Sequence, residues 1–151
     1  FALAQVNDGL MKLIQIKPES VDIIWPLVRD LLQKPIDQNL GEFDVEDVRK
    51  WLNDNYMHLW IIGDEEEVLL AVTTEFVNYP RERRLRIVLV GGKTNNMDKW
   101  FDVFWDKDSA IHTFAKENDA KRFECCGREG WVKVLAKVGF KKFCTVLTRE
   151  V

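Results

Sequence analysis

Apolar positions change their spacing several times along the chain, and each change marks an element. Met11, Leu13, Ile14 and Ile16, with Lys12 and Gln15 between them, predict a rough strand that Pro18 stops. Pro18-Glu19-Ser20 opens a helix with Ser20 as its expected cap. Val21, Ile24, Trp25, Val28, Leu31 and Leu32 share one face of it. Pro26 is near enough to the start to kink this helix rather than break it. A loop over residues 35–41 leads to Asp44 and Asp47, which begin a second helix with Val45, Val48, Trp51 and Leu52 as its buried stripe. The period then shortens to two. Residues 58–62 and 68–77 predict a hairpin across the turn at 63–66, and residues 79–84 make another turn. Residues 86–90 are continuously apolar after Arg86, as in a central strand buried on both faces. After a loop at 91–96, a long helix is expected over residues 97–118. Met97, Trp100, Phe101, Phe104, Ile111 and Ala115 face inward, and Asp108-Ser109 offers a restart. A strand, a helix and a strand close the chain. The order β-α-α-β-β-β-α-β-α-β predicts an α/β or α+β sheet wrapped by helices.

Composition narrows the class. Residues 11–151 are enough for one domain with a real core, and residues 1–10 read as a leader, an upstream extension or an expression remnant. A net charge of -3 gives no support to general polyanion binding, so nucleic acid is not the expected partner. No apolar run approaches the ~20 residues that span a bilayer, and a cytoplasmic protein without a membrane partner is expected. Cys125, Cys126 and Cys144 form no regular framework, which fits a reducing compartment. Adjacent Cys125 and Cys126 would point to opposite faces of a strand. With no CxxC, no HExxH and two histidines, no metal site is expected.

The run KRFECCGREGWVKVLAKVGFKKFCTVLTRE, residues 121–150, places a short strand, a glycine, an amphipathic helix closed by Gly139-Phe140, and a second strand at the end of the chain. This run and the element order resemble the GNAT (general N-acetyltransferase) superfamily, from residue 11 to 151, and more loosely its small bacteriophage-type members. The resemblance implies a mixed sheet of about six to seven strands with about four helices. It also implies that the fourth and fifth strands, here about 84–90 and 122–126, part to admit acyl-CoA. Acetyl-CoA would then touch Val88, Val90, Gly91, Gly92, Lys93, Thr94, Asn95 and Asn96, with backbone amides and a helix N-terminus on the pyrophosphate. The family's Arg/Gln-x-x-Gly-x-Gly/Ala loop is not matched, since Asn96 and Asp98 stand where small residues belong. Asn95, Asn96 and Asp98 read equally well as caps of the following helix.

Acyl transfer to an amine needs a base for the amine and an acid for the departing thiolate. The resemblance implies a Glu on the fourth strand or its neighbour and a Tyr before Gly-Phe. Glu75 is the nearest carboxylate, and Ala136 holds the Tyr position, leaving Cys126, Cys125 or Tyr79 to substitute. His58 reads as a base or as a structural histidine. Arg81, Arg83, Arg84 and Arg86 read as a phosphate site or as a solvated hairpin end balanced by Glu65, Glu66 and Glu67. Trp105, at the edge of its stripe, is a candidate interface anchor. Two functions follow: an acyl-CoA-dependent N-acetyltransferase acting on an amine that the sequence does not name, or a protein of the same fold that has lost catalysis. The second would bind a protein partner or build a phage particle.

Overall fold

Five strands in sequence order make a single sheet. A computed structural model describes residues 12–63, 67–93 and 97–151, with the backbone alone at 97–100. Residues 1–10 and the expected first strand residue, Met11, lie outside the described residues. The strands are β1 (Lys12–Ile16), β2 (His58–Gly63), β3 (Val68–Asn78), β4 (Arg83–Gly92) and β5 (Ala120–Cys125). The first three pairings are antiparallel and β4/β5 is parallel. Every residue of β2 is buried, because helices cover both faces of the sheet at its centre.

Helices α1 (Val21–Ile36) and α2 (Val45–Asn53) lie on one face. Val21, Ile24, Val28, Leu32, Val48 and Leu52 form a core there with Ile16, Leu59, Ile61, Ala71 and Leu89. Ser20 makes no side-chain cap; Pro18–Ser20 is instead a 3-10 turn leading into α1. The helix runs through Pro26 and also through Pro35, expected in a loop, because buried Ile36 anchors its last turn. At α2 the expected start is realised as a reciprocal cap. The Asp44 carboxylate accepts from the Glu46 and Asp47 amides, and Asp47 accepts from the Asp44 amide.

The other face carries α3 (Met97–Trp105) and α4 (Ala110–Glu117) in place of one long helix. The break is local competition: the Asp106 carboxylate accepts the Asp108 amide at 3.0 Å, and the Asp106 carbonyl accepts the Ser109 amide at 2.8 Å. Phe104, Ile111 and Ala115 pack there on Leu13, Trp60, Ile62, Leu70, Val72, Leu85 and Ile87. Trp105 is no exposed anchor. It is half-buried among the rings of Phe104, Phe123 and Phe140.

The chain's end departs from expectation. Helix α5 (Glu129–Ala136) closes as predicted: Gly139 takes φ +93°, and the Phe140 amide reaches the Leu135 carbonyl at 3.1 Å. The strand expected after it is not formed, so the sheet has five strands among the described residues rather than six to seven. An extended segment with no ladder partner has no stability as a strand.

Candidate active site

Strands β4 and β5 stay together only at one end. Their register joins Arg83–Ile87 to Ala120–Cys125, where β5 stops, while β4 runs on to Gly92. Opposite β3, Thr73 faces Leu89 and Thr74 faces Ile87, so Val88 is an extra residue, a bulge. The bulge reverses the strand's alternation. Leu85 and Ile87 enter the core beneath α3 and α4, whereas Leu89 enters the core beneath α1 and α2. The ladder between the two strands therefore ends at the point where β4 bends. Residues 88–92 of β4 have no ladder partner on the β5 side among the described residues.

Val88 and Val90 lie on this free stretch, each half-buried. Gly91 answers to packing: a Cβ there would come within 1.9 Å of the Leu31 carbonyl oxygen, so α1 presses directly on the strand. The Lys93 amide extends the β3 pairing to the Leu69 carbonyl at 3.0 Å, and its ammonium is paired with Glu67. Thr94, Asn95 and Asn96 lie outside the described residues, and α3 begins immediately after them.

At the closed end, Glu75 of β3, Arg86 of β4 and Glu124 of β5 stand side by side across three strands. Arg86 reaches Glu75 at 3.2 Å and Glu124 at 3.6 Å. Tyr79 donates its hydroxyl to Glu124 at 3.0 Å, under the Arg84 guanidinium 4.6 Å from its ring. Arg84 also pairs with Glu82 at 2.6 Å, and Arg122 with Glu82 at 3.2 Å. Burial opposes the charge of Arg86, but Glu124 and Glu75 outweigh it and raise its pKa. The Arg84 hydrogen bond holds the Glu82 carboxyl below its ordinary value.

Two of the expected catalytic candidates, Glu75 and Tyr79, are thus brought into one network, through Arg86 and Glu124, beside the end of the β4/β5 ladder. Cys126 is the first residue past β5 and is exposed. Cys125 is half-buried, and burial, then Cys126 and Glu124, push its thiol pKa up. The arginine cluster is tied largely into this network. Its carboxylate partners are Glu82, Glu75 and Glu124, and Arg83 bonds Asn78 and the Asn118 carbonyl. Glu65 and Glu66 lie outside the described residues.

Glu75 also lines a cleft of about 360 Å3 with Trp51, Tyr56 and Met57 on the α2 side of the sheet. Sequence reasoning missed this cleft and Glu124. The signal for Glu124 is its register opposite Arg86, visible only once β4 and β5 are paired. His58 belongs to the opposite face, bonded to Thr74 at 2.9 Å and edge-on to Phe76 and Phe114. Ala136, at the end of α5, is exposed and offers no hydroxyl. Among the described residues there is no cluster of His, Cys, Asp or Glu that could hold a metal, and no helix is long and apolar enough to cross a membrane.

Compared by sequence, the chain matches no family model and no curated protein. Compared by structure, it is similar to an aminoglycoside acetyltransferase from an uncultured soil metagenomic sample, solved in complex with sisomicin. The TM-score is 0.69 at 14% identity, covering 95% of this chain and 97% of that one. A predicted acetyltransferase from Clostridium acetobutylicum, solved with acetyl-CoA, gives 0.67 at 13% identity over 93% and 96%. An aminoglycoside N-acetyltransferase in complex with CoA gives 0.65 at 11% identity over 97% and 98%. These likenesses lend nothing to a bacteriophage setting. The sheet order and the structural neighbours together show a GNAT-like fold.

Proposed function

We propose that the protein is an acyl-CoA-dependent N-acetyltransferase with a cationic amine as acceptor. One observation carries the reading: β4 runs on past the end of β5 with a free backbone edge, and α3 starts just beyond it. The edge at Val88 and Val90 suits the amide-bearing arm of acetyl-CoA, which would supply the activated acyl group. Gly92, with no side chain on this edge, and the start of α3 suit its pyrophosphate. The cleft of Trp51, Tyr56, Met57 and Glu75 offers two aromatic rings and a carboxylate, a suitable lining for a cation. There a cationic amine first gives its extra proton to solvent, and Glu75 then accepts the second proton as the free nitrogen bonds the thioester carbon. Cys126 or Tyr79 protonates the sulfur as the carbon–sulfur bond breaks.

The experiment is thermal unfolding with acetyl-CoA, followed by thiol release with a panel of polyamines and amino sugars. A site of micromolar Kd stabilises the fold by about 4 kcal/mol at millimolar ligand. Gly92→Asp, which places a carboxylate on the free edge, should weaken that binding at least tenfold without unfolding the chain. No stabilisation by acetyl-CoA or CoA overturns the proposal. The absence of a hydroxyl at Ala136 favours a second reading, a binding protein that has lost catalysis. Binding of CoA without thiol release for any amine would select it.

A further inference from the structure

The carboxylate that serves as base in the proposed reaction does not stand alone. Arg86 holds Glu75 at 3.2 Å. A full positive charge at that distance works against a cationic acceptor entering the same cleft, and it competes for the carboxylate oxygens that the amine must reach. Glu124 stands on the far side of that charge, 3.6 Å from the other terminal nitrogen of the guanidinium. No step of the proposed chemistry uses Glu124, yet it is the most connected carboxylate at this end of the sheet.

Register builds this arrangement. Glu75, Arg86 and Glu124 are direct neighbours on β3, β4 and β5, so their side chains leave the same face of the sheet. That face carries the cleft of Trp51, Tyr56 and Met57. Glu124 Oε1 faces Arg86 and accepts the Tyr79 hydroxyl at 3.0 Å, while Oε2 lies 3.8 Å from Arg84. Tyr79 is fixed in turn by the Arg84 guanidinium over its ring and by its amide, which donates to the Glu82 carbonyl at 2.9 Å. One carboxylate thus meets two guanidiniums and a phenol and is held from three sides. The Tyr79 proton is directed at Glu124, away from any other acceptor.

We propose that Glu124 is a positioning residue for acetyl transfer, acting through Arg86 to set the place and the charge surroundings of Glu75. It touches no substrate and takes no proton from the amine. Shared between two carboxylates, Arg86 anchors Glu75 at the rim of the cleft without claiming it outright. With the Glu124 charge removed, Arg86 has one carboxylate partner left on these strands and closes on Glu75, tying up the oxygen that meets the amine. This inference rests on the reading of Glu75 as the base.

Steady-state thiol release from acetyl-CoA, with the same polyamines and amino sugars as acceptors, tests it. The proteins compared are the unaltered chain, Glu75→Gln, Glu124→Gln, Glu124→Asp and the double variant Glu75→Gln/Glu124→Gln. Glu124→Gln keeps the shape and the acceptor for Tyr79 and removes only the charge. It should lower kcat by roughly tenfold or more and leave KM for acetyl-CoA unchanged. Its circular dichroism should match that of the unaltered chain, because a part-exposed pair adds little to stability. Glu124→Asp, which retains the charge, should recover most of the lost kcat. In the Glu75→Gln background, Glu124→Gln should cost nothing further, because the two residues act as one unit. Thiol release that Glu75→Gln depresses and Glu124→Gln leaves intact overturns this inference and spares acetyl transfer. Equal losses in Glu124→Gln and Glu124→Asp, or additive losses in the double variant, also overturn it. Glu75→Gln as fast as the unaltered chain removes the base and the positioning role together. No thiol release from the unaltered chain with any amine removes the reaction itself, and this role with it.

Discussion

Arg86 shows what a half-buried charge does when a sheet brings carboxylates to both sides of it. Its guanidinium is shared between Glu75 and Glu124 on flanking strands, and its Nε is buried without a hydrogen-bond partner among the described residues. Such a shared pair contributes modestly to stability but fixes where the two carboxylates stand. His58 is the opposite case, a titratable group held neutral. Trp60 donates its indole N–H to the Thr74 hydroxyl, which leaves that hydroxyl to donate to His58 Nδ1. Burial, then the nearby Arg83 charge, lowers the His58 pKa to about 4. The unfolded chain binds that proton near pH 6.5, so stability is full above pH 6.5 and falls as the pH drops towards 4. The expected loss is on the order of 2–3 kcal/mol, and His58→Gln should remove it. Urea midpoints of both proteins at pH 7, 5.5 and 4 measure this; parallel pH profiles would refute it. His58 was legible as a structural or catalytic candidate, and its buried partners decide for the structural role. Glu75 and Tyr79 were legible as polar residues on a strand and turn. Glu124 was not, because its meaning lies in pairing across β4, which no local pattern encodes.

Elements obeyed local pattern wherever their partners were also local. The apolar stripe of α1, the reciprocal cap of α2 and the Gly139 ending of α5 can each be read within a few residues, and each is present. The closing strand could not be read that way. Its residues have strand composition, but a strand exists only with a neighbour, and among the described residues none pairs with them. Contact between α1 and β4 was also hidden. Gly91 read as part of a phosphate loop, yet its lack of a side chain admits the Leu31 carbonyl. Gly91→Ala should therefore push α1 off the strand and destabilise the fold by about 1–3 kcal/mol. An unchanged denaturation midpoint would show that α1 yields freely and that the close approach carries no cost.

At the scale of the whole molecule, one sheet separates two cores, and β4 contributes to both. A strand of strict alternation would send all its inward residues to the same side. The bulge at Val88 divides this one, so that Ile87 and Leu89 serve different cores. Such a strand carries a phase change: were it straightened with every residue kept, the residues after Val88 would trade faces. Deleting Val88 removes the extra residue and the phase change together, so Ile87 and Leu89 become neighbours that still point to opposite faces. Leu89 would stay opposite Thr73 in the α1 and α2 core, and Gly91 opposite Ala71 under Leu31. We expect the deletion, like Val88→Ala, to retain a cooperative thermal transition; loss of that transition would show that the bend itself holds the two cores apart. The bulge thus acts as a half-turn joint in β4, and two residues that regular alternation would place together serve separate cores because of it.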